Sequence, residues 1–155
     1  MLSQILETWH INNRVNLMLL DGITDEGMVC SLSTRGGRDV ARQFAHMHNV
    51  RLSWLEVSAK DLTKGVKKLD SKTTYSRADL KKHFATSVDA IAKWLERCVE
   101  AGGTLKGYKR GVVPALGYLL AHEGHHRGSI LLTLKQCGHK VSTEVQYGIW
   151  DWNKI

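Results

Sequence analysis

The sequence predicts an all-α protein, a four-helix bundle in a single domain that spans residues 1–155. Apolar residues recur at three- and four-residue intervals in four segments of about 18–25 residues, the pattern of helices with one buried face. Pro114 is the only proline, and few runs alternate β-branched and polar residues as strands do. Hydrophobic residues make up 43% of the chain, which is enough for a core without disulfides.

The first two predicted helices each place their apolar residues on one face. The first runs from about residue 2 to residue 20 and ends at Gly22, glycine being the usual left-handed helix cap. The second begins at residue 37 or 38 and ends at residue 60 or 64, before Gly65. The inward-facing residues are Ile5, Leu6, Trp9, Asn13, Asn16 and Leu20 in the first helix, and Val40, Phe44, Met47, His48, Arg51, Leu55 and Ala59 in the second.

The last two predicted helices have recognisable ends. Ser76 followed by Asp79 resembles a capping box and starts the third helix, which ends at residues 102–103, a glycine pair. The fourth helix runs from Pro114 to Cys137, because proline suits a first helical position where no backbone donor is needed. The apolar stripe of the third helix consists of Leu80, Phe84, Val88, Ile91, Leu95, Cys98 and Val99.

Charge and cysteine content bear on partners and compartment. The net charge is +7, but the basic residues are spread along the chain without an arginine-rich run or RNA-binding motif, so nucleic acid is not an expected partner. Cys30, Cys98 and Cys137 form no CxxC pair and indicate free thiols in a reducing compartment. With no signal peptide and no apolar run of about 20 residues, we expect a cytoplasmic protein without membrane contact.

Three histidines within five residues of the fourth helix are the most informative feature of the chain. His122 and His126 are four residues apart, and helical neighbours at that spacing point the same way with Cβ atoms about 5–6 Å apart. Two imidazoles so placed can bind one metal ion at roughly 2.0–2.1 Å each. His125 points about 100° away from His126. The spacing therefore predicts that His122 and His126 are metal ligands.

A third ligand is expected from the second helix, which carries His46 and His48. These two residues point to nearly opposite sides of a helix. His48 shares its face with the apolar residues Phe44, Leu52 and Leu55. His46 shares its face with the polar residues Arg42, Asn49 and Ser53. Because metal sites in bundles lie inside, the periodicity favours His48, with His46 as the alternative.

The same segment also reads as HExxH, the zincin metalloprotease motif. In that hypothesis His122 and His126 bind zinc, Glu123 is the general base and Glu144 is a third ligand. We rank it lower, because only 29 residues follow His126 and no sheet is predicted that could hold a peptide. Glu123 is then a helix surface residue or a group that supports the metal ligands without binding the ion.

Three segments together resemble the DinB/YfiT-like family of metal-binding four-helix proteins. They are residues 43–55 (QFAHMHNVRLSWL), residues 119–128 (LLAHEGHHRG) and residues 147–152 (YGIWDW). The resemblance implies an up-down-down-up bundle with a three-histidine metal site, onto which His122 and His126 carry over. For the second helix, His46 before Met47 fits the family string as well as or better than His48 does. The family often has glutamine where this chain has Ser129.

The resemblance also implies a function. Understood members include metal-dependent transferases of low-molecular-weight thiols, so we expect one divalent ion, zinc or nickel, and a small-molecule substrate, a thiol among the candidates. The enzyme would be a thiol S-transferase or a hydrolase; the alternative is a non-catalytic metal-binding or stress-response protein. Arg127 is expected to hold the site rigid by pairing with a carboxylate or a helix end. The resemblance also leads us to expect a homodimer. From the sequence itself, we expect the aromatic side chains at positions 147, 150 and 152 (Tyr147, Trp150 and Trp152) to pack back onto the bundle.

Overall fold

The computed structural model describes residues 1–33, 35–104 and 106–155, and every regular element within these ranges is helical. The prediction of an all-α protein is therefore confirmed, and the four long helices agree with a four-helix bundle. In chain order the elements are α1 (Leu2–Asp21), α2 (Asp25–Met28), α3 (Val40–Ser58), a 3-10 turn (Lys60–Thr63), α4 (Arg77–Glu100), α5 (Val112–Gln136) and α6 (Thr143–Gly148). None of the described helices is long and apolar enough to cross a membrane.

The four long helices pack so that α1 and α3 each lie against both α4 and α5. The ring centroids of Phe44 on α3 and Phe84 on α4 are 6.1 Å apart, and the rings meet edge to face. Between α1 and α4, the indole nitrogen of Trp9 donates a 3.0 Å hydrogen bond to the carbonyl of Val88. The helix α3 packs against both α4 and α5, so two different sides of it face the interior of the bundle. This matters for the site.

Two apolar clusters form the core. One contains the last turns of α1 and the first turns of α3, and the other contains the first turns of α1 and the end of α3. Polar side chains that are almost completely buried occur on all four long helices between these clusters, and they are Asn12, Asn13, Asn16, Arg51, Ser87 and Glu123. The bundle thus has a polar layer in its middle, which needs internal hydrogen bonds to be stable.

Side-chain caps set the first residues of α3 and α4, and the cap of α4 is the one that the sequence predicts. Ser76 Oγ accepts from the backbone of Asp79 at 3.1 Å and donates to the Asp79 carboxylate at 2.6 Å, which confirms that pairing. The helix α3 begins later than predicted, because Asp39 caps it by accepting from the backbone N–H of Arg42. The helix α5 begins two residues before Pro114, which is tolerated because the first turn lacks internal acceptors for its N–H groups.

Two predictions about the region around α6 were wrong. Gly22 is not a left-handed cap, since its φ is −81°. A Cβ atom at this residue would lie 2.7 Å from Val145 Cγ2, so glycine is needed there for the close approach of α6. Tyr147 and Trp150 do not pack back onto the bundle, because they are 67% and 77% exposed; Ile149 enters the core instead.

Candidate metal centre

Three imidazoles from two helices converge at one side of the bundle. His46 comes from α3, and His122 and His126 come from successive turns of α5. Their potential ligand atoms all lie within 4.8 Å of one another. The ring centroids are 5.3 Å apart for His46 and His122, 4.8 Å for His46 and His126, and 4.7 Å for His122 and His126. The structure therefore brings His122 and His126 together, as their spacing predicts, with His46 as the third histidine.

The structure places His48, the preferred third ligand in the sequence analysis, outside this cluster. His48 is fully buried, and its Nε2 lies 2.8 Å from the carbonyl oxygen of Lys67. Its ring stands 5.2 Å from that of His83, on the side of α3 that faces α4. The apolar face of α3 was identified correctly, but that face packs against α4, whereas His46 lies on the half-buried side that faces α5. A site that is open to substrate needs a half-buried position such as that of His46.

The histidines of this cluster are held in the neutral form. Burial, with smaller contributions from neighbouring histidines and the charge of Arg38, lowers the pKa of His46 and of His126 to about 4. Burial also lowers the pKa of His122. The Nδ1 atoms of His122 and His126 are buried and have no hydrogen-bond partner among the described residues. Neutral imidazoles with unused ring nitrogens are what a divalent metal ion requires, so these residues fit such an ion.

Aromatic residues cover one side of the cluster. The Tyr118 ring stacks on His122 with a centroid distance of 6.1 Å and an angle of 15° between the planes. Trp54 meets Tyr118 edge to face at 5.4 Å. His125 lies on the other side, exposed to solvent, with its ring 5.2 Å from that of His126. The aromatic contacts restrict the rotation of His122, whereas His125 stays outside the group that could hold an ion.

Glu123 points into the bundle, away from the three histidines, and is only 1% exposed. Its carboxylate accepts two hydrogen bonds from Arg51, from Nε at 2.7 Å and from Nη2 at 3.0 Å. The side-chain amides of Asn12 and Asn16 each donate to Oε2 at 2.6 Å. Burial alone would raise the pKa of Glu123, but the Arg51 charge and these hydrogen bonds outweigh it and lower the pKa.

This arrangement does not suit the zincin hypothesis. A general base needs a free carboxylate within reach of the substrate, but both oxygens of Glu123 are occupied by Arg51, Asn12 and Asn16 inside the core. Glu144 lies exposed in the first turn of α6 and does not belong to the histidine cluster. Glu123 instead joins α5 to α3 and α1.

Arg127 completes the same network with different partners from those expected. It donates from Nη1 to the side-chain oxygens of Asn12 at 2.9 Å and Asn16 at 2.7 Å, not to a carboxylate or a helix end. Each asparagine therefore accepts from Arg127 and donates to Glu123. Arg127 and Glu123 are fixed together by these amides, and both residues adjoin a histidine of the cluster in sequence.

Arg51 is the residue whose role the sequence interpretation missed. Its Nη1 donates to Asn13 at 2.9 Å and to Ser87 at 3.2 Å. The guanidinium carbon also lies 4.6 Å from the Trp9 ring centroid and 4.5 Å from that of Phe84. A signal was present, because Arg51 and two asparagines occupy inward-facing positions of otherwise apolar stripes, where polar residues need partners.

Comparison with known proteins yields one match. The sequence model of the DinB family matches residues 1–148, from the start of α1 to the end of α6, and this range includes His46, His122 and His126. No curated protein matches the chain. No solved structure matches it either.

Proposed function

Because this chain belongs to the DinB family, we propose that it binds one divalent metal ion between His46, His122 and His126 and uses it as a metal-dependent enzyme. The observation that carries the proposal is the convergence of three neutral imidazoles within 4.8 Å at a half-buried position. Three protein ligands with an open fourth position are typical of catalytic metal sites, whereas structural sites are closed by four.

The reaction we favour is thiol S-transfer or hydrolysis. A bound divalent ion would lower the pKa of a thiol or a water molecule at its open position. Three neutral histidines leave the positive charge of the ion uncompensated, which favours an anionic fourth ligand. In S-transfer, the thiolate forms a bond to an electrophilic carbon while the leaving group departs with its electron pair. Zinc and nickel both suit imidazole ligands, and we propose one of these two.

The residues of the chain itself would position this chemistry. The buried pair of Arg51 and Glu123 fixes α5 against α3, and thereby sets the distance between His46 and the pair on α5. Tyr118 holds the ring of His122 by stacking. The structure offers no free carboxylate among the described residues of the cluster, so a proton from the substrate would go to solvent. The lack of a nearby base suits a thiol substrate, because a thiol loses its proton easily. It is also consistent with the alternative function, a metal-binding protein without catalysis.

Metal analysis of the purified protein tests the proposal. We expect about one zinc or nickel ion per wild-type chain, and for His46→Ala a loss of affinity greater than the roughly 10–100-fold that loss of a supporting residue costs. The matched control is His125→Ala, because His125 is an exposed neighbour of His126 outside the cluster. A wild type that takes up neither zinc nor nickel would refute the proposed site.

A second variant separates His46 from His48. We expect His48→Gln to keep its metal, because His48 faces α4 and contacts the Lys67 carbonyl. Circular dichroism would check that the variant is folded. If His48→Gln loses the ion while His46→Ala keeps it, the choice made from the helical face was right and the assignment proposed here is wrong.

Two finer features of the assembly are proposed on the same basis. For connectivity we propose up-down-down-up, supported by contacts of Phe44 with Phe84 and of Arg51 with Ser87, which follow the same direction along α3 and α4. For assembly we propose a homodimer, supported by the exposure of Tyr147 and Trp150 at the end of the chain. Analytical ultracentrifugation of the wild type and of Trp150→Ser would test the second feature, and an unchanged monomer mass in both would contradict it.

A further inference from the structure

A cavity of about 280 Å³ opens beside the histidine cluster. It lies between the loop that precedes α3 and the outer side of α5, and its lining includes Ser31, Arg38, Gln43, His126, Ser129 and Thr133. The volume suits a small molecule, being near the lower end of the roughly 300–1,000 Å³ that ligand pockets occupy. Since His126 belongs to both the cavity and the cluster, a ligand in the cavity would lie next to the proposed metal ion.

Arg38 supplies an uncommitted positive charge at this cavity. The guanidinium makes no ion pair with any residue that the structure describes. The neighbouring Asp39 makes no ion pair with it, and the Asp39 carboxylate instead accepts from the backbone of Arg42 and from the hydroxyl of Thr74. An exposed arginine in this position is suited to a ligand anion.

Gln43 supplies a second, independent observation. It lies one helical turn before His46, is only 7% exposed and lines the cavity. Its side-chain amide makes no hydrogen bond with the described residues, although its backbone N–H donates to the carbonyl of Asp39 within the helix. Because Gln43 lines the cavity, its amide is available there as a hydrogen-bond donor and acceptor for a ligand.

We propose that this cavity binds the carboxylate of a small anionic substrate through Arg38 and Gln43, while another donor atom of the same substrate reaches the metal ion beside His126. This inference rests on the proposed metal site, and it adds a substrate class. The guanidinium presents two parallel N–H groups that match a carboxylate, and the amide of Gln43 can donate one more hydrogen bond. A single guanidinium with one amide fits a carboxylate better than a phosphate dianion, which usually requires several cations or backbone donors.

Binding of two matched thiols to the cobalt-loaded protein tests the proposal. The probes are 3-mercaptopropionate and its neutral amide, 3-mercaptopropionamide, and the thiolate-to-cobalt absorption band reports their binding at constant pH. We expect the wild type to bind the carboxylate probe about tenfold more tightly. In Arg38→Gln the ratio should fall to about one, with unchanged cobalt content, because the amide probe never used the guanidinium. Gln43→Leu should lower the ratio less than Arg38→Gln does.

Arg35→Gln is the matched control, because Arg35 is an exposed arginine of the same loop that does not line the cavity. It removes the same charge and should keep the tenfold ratio. Equal binding of the two probes by the wild type would overturn the carboxylate site, and so would a ratio that survives in Arg38→Gln. A ratio that falls equally in Arg35→Gln would also overturn it, because the effect would then be one of net charge.

A metal-free arm separates the two proposals. Propionate is titrated into the protein without metal, and the side-chain amide signal of Gln43 is followed by nuclear magnetic resonance. Propionate binding that weakens in Arg38→Gln supports the carboxylate site even if the protein fails to bind cobalt or thiol, which would refute the metal proposal alone. Absence of any propionate effect on Gln43, in a protein that binds cobalt, would refute the carboxylate site alone.

Discussion

The helix α5 carries two pairs of residues that are neighbours in sequence but differ in their hydrogen bonding: the histidines at 122 and 126, and the charged residues at 123 and 127. His122 and His126 lie at a half-buried position with Nδ1 atoms that have no partner among the described residues. Glu123 and Arg127 each follow one of these histidines, and they make hydrogen bonds of 2.6–3.0 Å to side chains of α1 and α3. The histidines therefore have ring nitrogens without a partner among the described residues, whereas both carboxylate oxygens of Glu123 are occupied by partners within the protein.

This difference separates a role in binding from a role in stability. A buried polar group without a partner is costly, so it persists where a ligand can satisfy it. A fully bonded group such as Glu123 has no capacity left for a substrate, and removing one of its partners leaves a charge stranded in the core. The HExxH motif combines both kinds of residue in five positions, which is why the sequence alone allowed two interpretations of Glu123.

The largest effect we expect comes from Glu123→Gln. The change keeps the shape of the side chain but leaves Arg51 buried without a counter-charge, and breaking a buried pair in this way costs about 3–5 kcal/mol. Urea unfolding of the metal-free protein would measure the loss in the free energy of unfolding. The zincin hypothesis predicts the reverse result, with stability and metal retained and only activity lost.

The control for this variant is Glu144→Gln, because Glu144 is exposed and lies in the short helix α6. It should change the free energy of unfolding by no more than about 0.5 kcal/mol. If Glu123→Gln were as stable as this control, the description of Glu123 as a structural residue would be wrong.

A smaller effect is expected for Asn16→Ala. The amide of Asn16 donates to Glu123 and accepts from Arg127, so its removal leaves one unmet hydrogen bond on each charged group. We expect a loss of about 1–3 kcal/mol in the free energy of unfolding, measured by urea titration. The exposed Asn153 provides the comparison, and Asn153→Ala should have almost no effect. Equal stability of the two variants would show that Asn16 is replaceable by water.

The fold was accessible from the sequence because its elements depend on local and periodic features. The cap of α4 required only Ser76 and Asp79, which lie three residues apart and bond to each other. The pairing of His122 with His126 required only the period of one helix. Such features need no knowledge of which helix lies next to which, and they were predicted correctly.

The choice between His46 and His48 was different, because it depends on which neighbour each side of α3 faces. Periodicity identifies a buried side but not whether α4 or α5 covers it, and His48 lies against α4. The polar layer was missed for the same reason. Asn16 and Arg51 were placed on inward faces, but their contacts with Glu123 join residues that are 107 and 72 positions apart. No local pattern reveals such partners.

The smallest expected effect is on the pH dependence of stability in the metal-free protein. The histidines and Glu123, on the two sides of α5, should change the free energy of unfolding in different pH ranges. The pKa values of His46 and His126 are about 4 in the folded state, below their usual 6.5, because burial disfavours the charged form. The unfolded chain therefore binds more protons between these values, so the free energy of unfolding falls as pH drops from about 6.5 towards 4. The lowered pKa of Glu123 places its own contribution at more acidic pH, where that carboxylate becomes protonated.

Urea midpoints of the metal-free wild type and of His126→Ala at pH 7.5, 6 and 5 would measure this dependence. The variant lacks one of the shifted histidines, so its midpoint should fall less over this range than that of the wild type. Glu123→Gln should keep the wild-type slope here, because the contribution of Glu123 is lost only at lower pH. A slope that is unchanged in His126→Ala and reduced in Glu123→Gln would reverse the assignment of the two sides, and would make the carboxylate the titrating group near neutral pH.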